Sequence, residues 1–144
     1  MLQLVRIFDE LPDGFGDLVA EASGEGVHNM ALLAEGWRKG ERFQGDGDAL
    51  FAAFLAGGLA GIAGMTAEPA APEPARRLRR LYVRPALRRR GVATALASAL
   101  THEGLDNVDL LTVNARATEA ACRFWEAQGF QPDTTGPWTH ILRR

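Results

Sequence analysis

Apolar residues crowd into Gln3–Phe8 and stop at Asp9-Glu10, which predicts a first strand. Helices are predicted over Phe15–Ala22 and Asn29–Lys39, parted by the breaker Ser23-Gly24-Glu25-Gly26. In the second, Met30, Leu33, Ala34 and Trp37 recur at helical spacing and make one apolar face. After the polar loop Gln44–Asp48, the apolar runs Ala49–Ala56 and Leu59–Met65 flank Gly57-Gly58. Two glycines between two such runs predict a hairpin, because a tight primed turn needs positive φ. Glu68–Ala75, rich in proline and alanine and without a period, reads as an exposed loop. Arg77–Val83 reads as a strand stopped by Pro85. Gly91–His102 follows as a helix with Val92, Ala95, Leu96, Ala99 and Leu100 on one face. Val108–Val113 is a buried strand by length and content. Thr118–Gln128 is a helix capped by Thr118 and closed by Gly129. Gly129–Gln131 and Trp138–Leu142 close the chain as a strand pair. The predicted order is β-α-α-β-β-β-α-β-α-β-β, with no internal repeat and no linker.

Composition narrows the class. A chain of 144 residues is one domain's worth, and 47% hydrophobic with 24% charged residues excludes a disordered tail and a collagenous repeat. The formal net charge of −2 excludes a bulk polycation but hides a split. Residues 1–75 carry 4 basic and 12 acidic side chains, whereas residues 76–144 carry 12 basic and 6 acidic ones. Eight arginines lie between Arg76 and Arg90 with no acid among them. The single cysteine, Cys122, cannot form an internal disulfide, and no signal peptide or membrane span is visible, so a cytoplasmic protein is expected. His28, His102, His140 and Cys122 show no ligand spacing, so no metal is expected. The preference for arginine over lysine reads as coding bias. Gly57-Gly58 is not a phosphate loop, since neither a Lys-Ser/Thr pair nor an immediate helix follows.

The candidate chemistry lies in Leu81–Leu96, which reads as strand, turn, basic loop and helix. A helix beginning near Gly91 offers backbone N–H groups without intrahelical partners, at the positive end of its dipole. Gly91 lets a ligand approach the backbone, Ala93 keeps the next position small, and the arginines add charge. A pyrophosphate suits such a nest.

In residues, Arg88-x-x-Gly91-x-Ala93, preceded by Leu81-x-Val83-x-Pro85, resembles the acetyl-CoA-binding motif of the GNAT acetyltransferase superfamily. Ala121-x-x-Phe124-Trp125-Glu126-x-x-Gly129-Phe130 is similar to the family's second hallmark, and the order of elements matches throughout. The resemblance implies a single α/β (α+β) domain over residues 1–144, with a mixed, mainly antiparallel sheet and helices on both faces. It implies transfer of an acetyl group from acetyl-CoA to an amine by direct attack. The backbone of Arg88, Arg89, Arg90, Gly91, Val92 and Ala93 would hold the pyrophosphate, with Thr94 adding a hydroxyl. Leu81, Tyr82 and Val83 would line the pantetheine arm, on a strand that splays from the next. Two positions depart from the pattern. Trp125 stands where the family often has a tyrosine that protonates the leaving thiolate, which an indole cannot do. Thr118 replaces a common asparagine, whose role Asn114 could share.

Glu35 and Glu41 flank the end of the second helix, where the family often builds its acceptor site; either could bind an amine or take its proton, although a surface carboxylate is the commoner case. His140 could relay a proton, but a solvent-facing strand position is favoured. Trp37 and Cys122 read as packing residues. Arg76, Arg77, Arg79 and Arg80 read first as a solvated strand face; the alternatives are the adenosine 3′-phosphate or an RNA backbone. Nucleic acid is disfavoured because no aromatics interleave the run. The acidic first half points, by charge alone, to a cationic acceptor, a small-molecule or peptide amine such as an amino sugar, polyamine, lysine or N-terminal amine. A homodimer is compatible with the chain. The alternative function is a CoA-binding or acyl-CoA-binding sensor or partner module with little turnover.

Overall fold

The computed structural model describes residues 1–144, and its seven strands form one sheet. In chain order the elements are β1 (Leu2–Arg6), α1 (Phe15–Gly24), α2 (Asn29–Arg38), β2 (Ala49–Leu55), β3 (Gly58–Ala67), β4 (Ala75–Val83), α3 (Val92–Asn107), β5 (Leu110–Val113), α4 (Glu119–Ala127), β6 (Gln131–Pro132) and β7 (His140–Arg143). One 3-10 turn, Pro85–Leu87, joins β4 to the loop before α3. The sheet order is β1-β2-β3-β4-β5-β7-β6, and every pairing is antiparallel except β4 with β5. This is the expected mixed, mainly antiparallel architecture.

Each face of the sheet carries its own core. Leu18 and Met30 of α1 and α2 pack with Leu50 and Ile62, while Leu96 and Leu100 of α3 pack with Leu111, Trp125 and Phe130. Each of these large side chains contributes about 1.5–3 kcal/mol by leaving water. No helix is long and apolar enough to cross a membrane.

Two irregularities of β4 set the site. First, its parallel ladder with β5 is only three pairs long, Ala75–Leu110, Arg76–Leu111 and Arg77–Thr112. Beyond Arg77 the strands part, so the stretch of β4 from Leu78 to Val83 has no β5 neighbour. Second, Ile62 opposes Tyr82 while Gly64 opposes Arg79, which leaves Arg80-Leu81 against Ala63 alone. This is a β-bulge, and Arg80 adopts φ +61° in it. Gly61 fits the same turn of the ladder, where a Cβ would lie 2.8 Å from the Tyr82 carbonyl oxygen.

Several expectations shift. The hairpin turn is centred on Ala56-Gly57, not Gly57-Gly58, because Leu55 pairs with Gly58. The third helix extends five residues further than expected, to Asn107. The segment from Glu68 is not wholly exposed: Glu68 is buried, accepting a hydrogen bond from Thr112 Oγ1 at 3.1 Å.

Candidate functional site

The turn at Pro85–Leu87 redirects the chain from the end of β4 to the start of α3. Arg89 at φ +63° and Gly91 at φ +79° put two left-handed residues into this loop, the kind of backbone in which successive N–H groups can converge on one anion. None of the N–H groups from Arg89 to Thr94 has a backbone partner; the first bond of the helix is Ala95 N–H to the Gly91 carbonyl. The Gly91 Cα faces open space. Arg89, Arg90 and Thr94 are exposed there, while Val92 is buried and anchors the helix beneath and Ala93 is half-buried. A polyanion can therefore meet backbone donors, a hydroxyl and two unpaired guanidinium groups in one place.

Arg88 is placed differently. Its guanidinium grips Glu25, just past α1, with Nη1 donating to Oε2 at 2.9 Å and Nη2 to Oε1 at 2.6 Å, and its Nε donates to the Val83 carbonyl. The Tyr82 hydroxyl donates to the same carboxylate at 2.5 Å, and Arg84 pairs with Glu21 at 2.7 Å. The Arg88 and Tyr82 hydrogen bonds hold the Glu25 carboxyl below the usual range. Burial, then the Glu25 carboxylate, pushes the Tyr82 phenol well up. The Arg88 side chain thus fastens α1 to β4 and the loop, and its N–H is taken by the Pro85 carbonyl at 3.4 Å, so the expected run of free donors begins at Arg89 rather than Arg88. Leu81 is half-buried, and its carbonyl accepts from Asn29 Nδ2 at 2.8 Å.

Arg76, Arg77, Arg79 and Arg80 are not the solvated face expected of them; all four are half-buried. β3 and the segment after α2 lie against this strand, which a reading of β4 alone cannot show. Arg76 pairs with Asp48 at 3.6 Å. Arg77, Arg79 and Arg80 have no carboxylate within ion-pair distance. Burial, with the charges of Arg77 and Arg80, pushes Arg79 down to about 10, and Arg80 is lowered by burial and Arg77. Glu41, exposed after α2, is near enough to favour the charged forms of both.

Other candidates lie away from the fork. His140 corrects the expectation of a solvent-facing residue: it is buried, with Nε2 2.8 Å from Glu126 Oε2 and Nδ1 2.8 Å from Thr139 Oγ1. Glu126 of α4 and the neighbouring Thr139 take both ring nitrogens, contacts that period-two reasoning on one short strand does not reveal. Glu35 forms surface ion pairs with Arg38 and Lys39. Asn114 Oδ1 accepts from the Arg116 N–H at 3.1 Å in a local turn. Trp125 is buried, edge-on to Phe124 and Phe130 at 5.0 and 5.2 Å. Thr118 caps α4, accepting from the Ala121 N–H at 3.0 Å. Trp37 packs beside the α1–α2 core under the Arg42 guanidinium, and Cys122 packs beside the α3–α4 core. Sequence reasoning missed Glu25 and Asn29. Neither carries a motif; each is defined by a contact more than fifty residues away.

The model of the acetyltransferase (GNAT) domain matches residues 18–137, and the chain belongs to this family. Among solved structures, a protein from Exiguobacterium sp. 255-15 assigned as an acetyltransferase is similar at 25% identity and TM-score 0.86, over 99% of this chain and 93% of that one. A second, assigned to the GNAT family and from Desulfovibrio desulfuricans, is 19% identical with TM-score 0.73 over 99% of both chains. A mutant of the toxin AtaT, bound to the C-terminus of the antitoxin AtaR and acetyl-CoA, is 14% identical with TM-score 0.72, over 99% of this chain and 92% of that one. No curated protein matches the chain in sequence.

Proposed function

We propose that residues 1–144 act as one acetyltransferase domain, moving the acetyl group of acetyl-CoA to a primary amine. The observation that carries this reading is the run of unpartnered N–H groups from Arg89 to Thr94, set beside the fork where β4 leaves β5. The pyrophosphate would sit on those donors, with Arg89 and Arg90 adding charge and Thr94 a hydroxyl. The pantetheine arm would lie along Leu81–Val83, where β4 has no β5 neighbour; the Leu81 and Val83 carbonyls already accept from Asn29 and Arg88, so an extended amide would be held chiefly through N–H groups of the strand. The thioester then reaches the bulge at Arg80-Leu81.

The amine nitrogen attacks the thioester carbonyl: a C–N bond forms, and the C–S bond breaks with its electron pair on sulfur. The proton lost by nitrogen ends on the CoA thiol, carried through water. Alignment of the two reactants supplies most of the acceleration. Trp125 cannot donate a proton, but a thiol of pKa about 8.5 leaves without a dedicated acid. Of the three candidates for accepting the amine proton, Glu41 alone stands exposed beside the bulge side chains. Glu35 is committed to surface pairs and His140 to Glu126.

Calorimetry with acetyl-CoA should show binding, and added amine should release free thiol. Gly91→Val should weaken acetyl-CoA binding at least tenfold, because a β-branched residue at φ +79° is strained and its side chain would fill the cradle. The burial of Trp125 in the core favours one rival, a CoA-binding module without turnover. Binding with no thiol release on any amine would establish that rival. Absence of acetyl-CoA binding would overturn both.

A further inference from the structure

Only two buried side-chain polar atoms in the whole chain lack a hydrogen-bond partner: Arg79 Nε and Asn29 Oδ1. They bracket the same bulge. Arg79 precedes Arg80-Leu81, and Asn29 donates through its Nδ2 to the Leu81 carbonyl, leaving its oxygen free. One atom is a donor on a cation and the other a neutral acceptor, so they call for opposite chemistry in the missing partner.

The surroundings sharpen this. Arg77 stands level with Thr112 at the last pair of the β4–β5 ladder, and Arg79 lies two residues on, hence on the same side of the strand. Arg80 is held at φ +61° in the bulge; Arg79 feels the charges of Arg77 and Arg80, and Arg80 feels that of Arg77. None has a carboxylate within ion-pair distance; Arg79 Nη1 reaches only Thr66 Oγ1, at 3.5 Å. Half-buried like charges without a counter-ion are costly, and the cost is recovered when an anion binds. The contrast with Arg76, Arg84 and Arg88 is direct, since each of those has its own acid.

We propose that the acceptor amine carries an anionic group, a carboxylate or a phosphate, which Arg77, Arg79 and Arg80 bind at the β4 bulge while Asn29 Oδ1 accepts an N–H of the amine. The inference rests on the acetyl-transfer reading and replaces the cationic acceptor to which the acidic first half pointed. The anion is not a phosphate of CoA itself. The nest at Arg89–Thr94 lies beyond the far end of β4, and from Arg79 to Val83 alone the strand advances roughly 13 Å. The atom balance is unchanged; amine and acetyl-CoA give amide and free CoA thiol.

The test uses matched amines that differ only in the anion: 2-aminoethyl phosphate against ethanolamine, and β-alanine against 3-aminopropanol. At least one charged member should show kcat/KM tenfold or more above its neutral partner, and the pair that does so tells phosphate from carboxylate. Arg79→Gln should erase that preference by raising KM for the anionic amine, with acetyl-CoA affinity retained in calorimetry; Arg79→Lys should restore part of it. Equal rates within both pairs, or a variant that slows both members alike, would overturn the proposal. If acetyl-CoA binds and no amine turns over, transfer itself fails, and inorganic phosphate then decides the inference. Calorimetric binding of phosphate to the acetyl-CoA complex, lost in Arg79→Gln, supports the anion site, and no binding removes it.

Discussion

Glu25 is shared by three groups at once: two nitrogens of Arg88 and the hydroxyl of Tyr82. Its pKa is lowered in the fold, by Arg88 first and Tyr82 next. A carboxylate depressed in this way contributes stability that is complete above its unfolded pKa and is lost as pH falls through the folded value. Tyr82 works in the opposite direction. Its phenol is raised by burial first and Glu25 second, so its contribution is complete below the unfolded pKa and fades as pH rises through the folded one. Glu25→Gln should cost about 1 kcal/mol near neutral pH, the scale of a partly exposed pair. It should also flatten the acid limb of the stability profile, which thermal melts between acid and neutral pH would show. Arg88 is legible in the sequence as part of a motif, but the use of its side chain is not. Its partner lies 63 residues earlier, and nothing local to either residue announces the pair.

At the scale of elements, short-range rules succeed where the deciding contacts are short-range. The Thr118 cap and the left-handed Gly129 at the end of α4 follow from sequence position alone, as does the helix start at Gly91. The β2–β3 hairpin shows the limit. Two glycines mark the turn correctly but not its centre, because strand register places Ala56 at φ +53° and Gly57 at φ +84°. An L-residue in that region costs about 1–2 kcal/mol, which glycine avoids at some loss of chain entropy. Ala56→Gly should therefore stabilise the protein by about 0.5–1 kcal/mol, read as a rise in Tm of roughly 2–4 °C for a chain of this size. The bulge in β4 is invisible in the sequence. Arg79, Arg80 and Leu81 contain no glycine or proline, and only pairing against β3 forces the extra residue out of register.

For the whole molecule, the charge split between the two halves of the chain is partly settled by ion pairs between them. Asp48, Glu21, Glu25 and Glu73 of the acidic half pair with Arg76, Arg84, Arg88 and Arg143 of the basic half. The arginine run is thus divided: three members are neutralised, Arg89 and Arg90 stay exposed at the nest, and Arg77, Arg79 and Arg80 remain without acids beside the bulge. A second long-range tie joins the loop before β4 to β5, where Thr112 donates to the buried Glu68. Thr112→Val keeps the shape but leaves that carboxylate short of a donor, and should cost about 1–3 kcal/mol in urea unfolding. Glu68→Gln, which keeps an acceptor, should cost less. By itself the sequence determined the order of elements, the strand–loop–helix that presents free N–H groups, and the family resemblance, because each depends on neighbours within a few residues. Only the tertiary structure decided where β4 leaves β5, which arginines are neutralised and which are not, and that His140 is buried. Those outcomes depend on contacts between residues far apart in the chain, and local periodicity carries no trace of them.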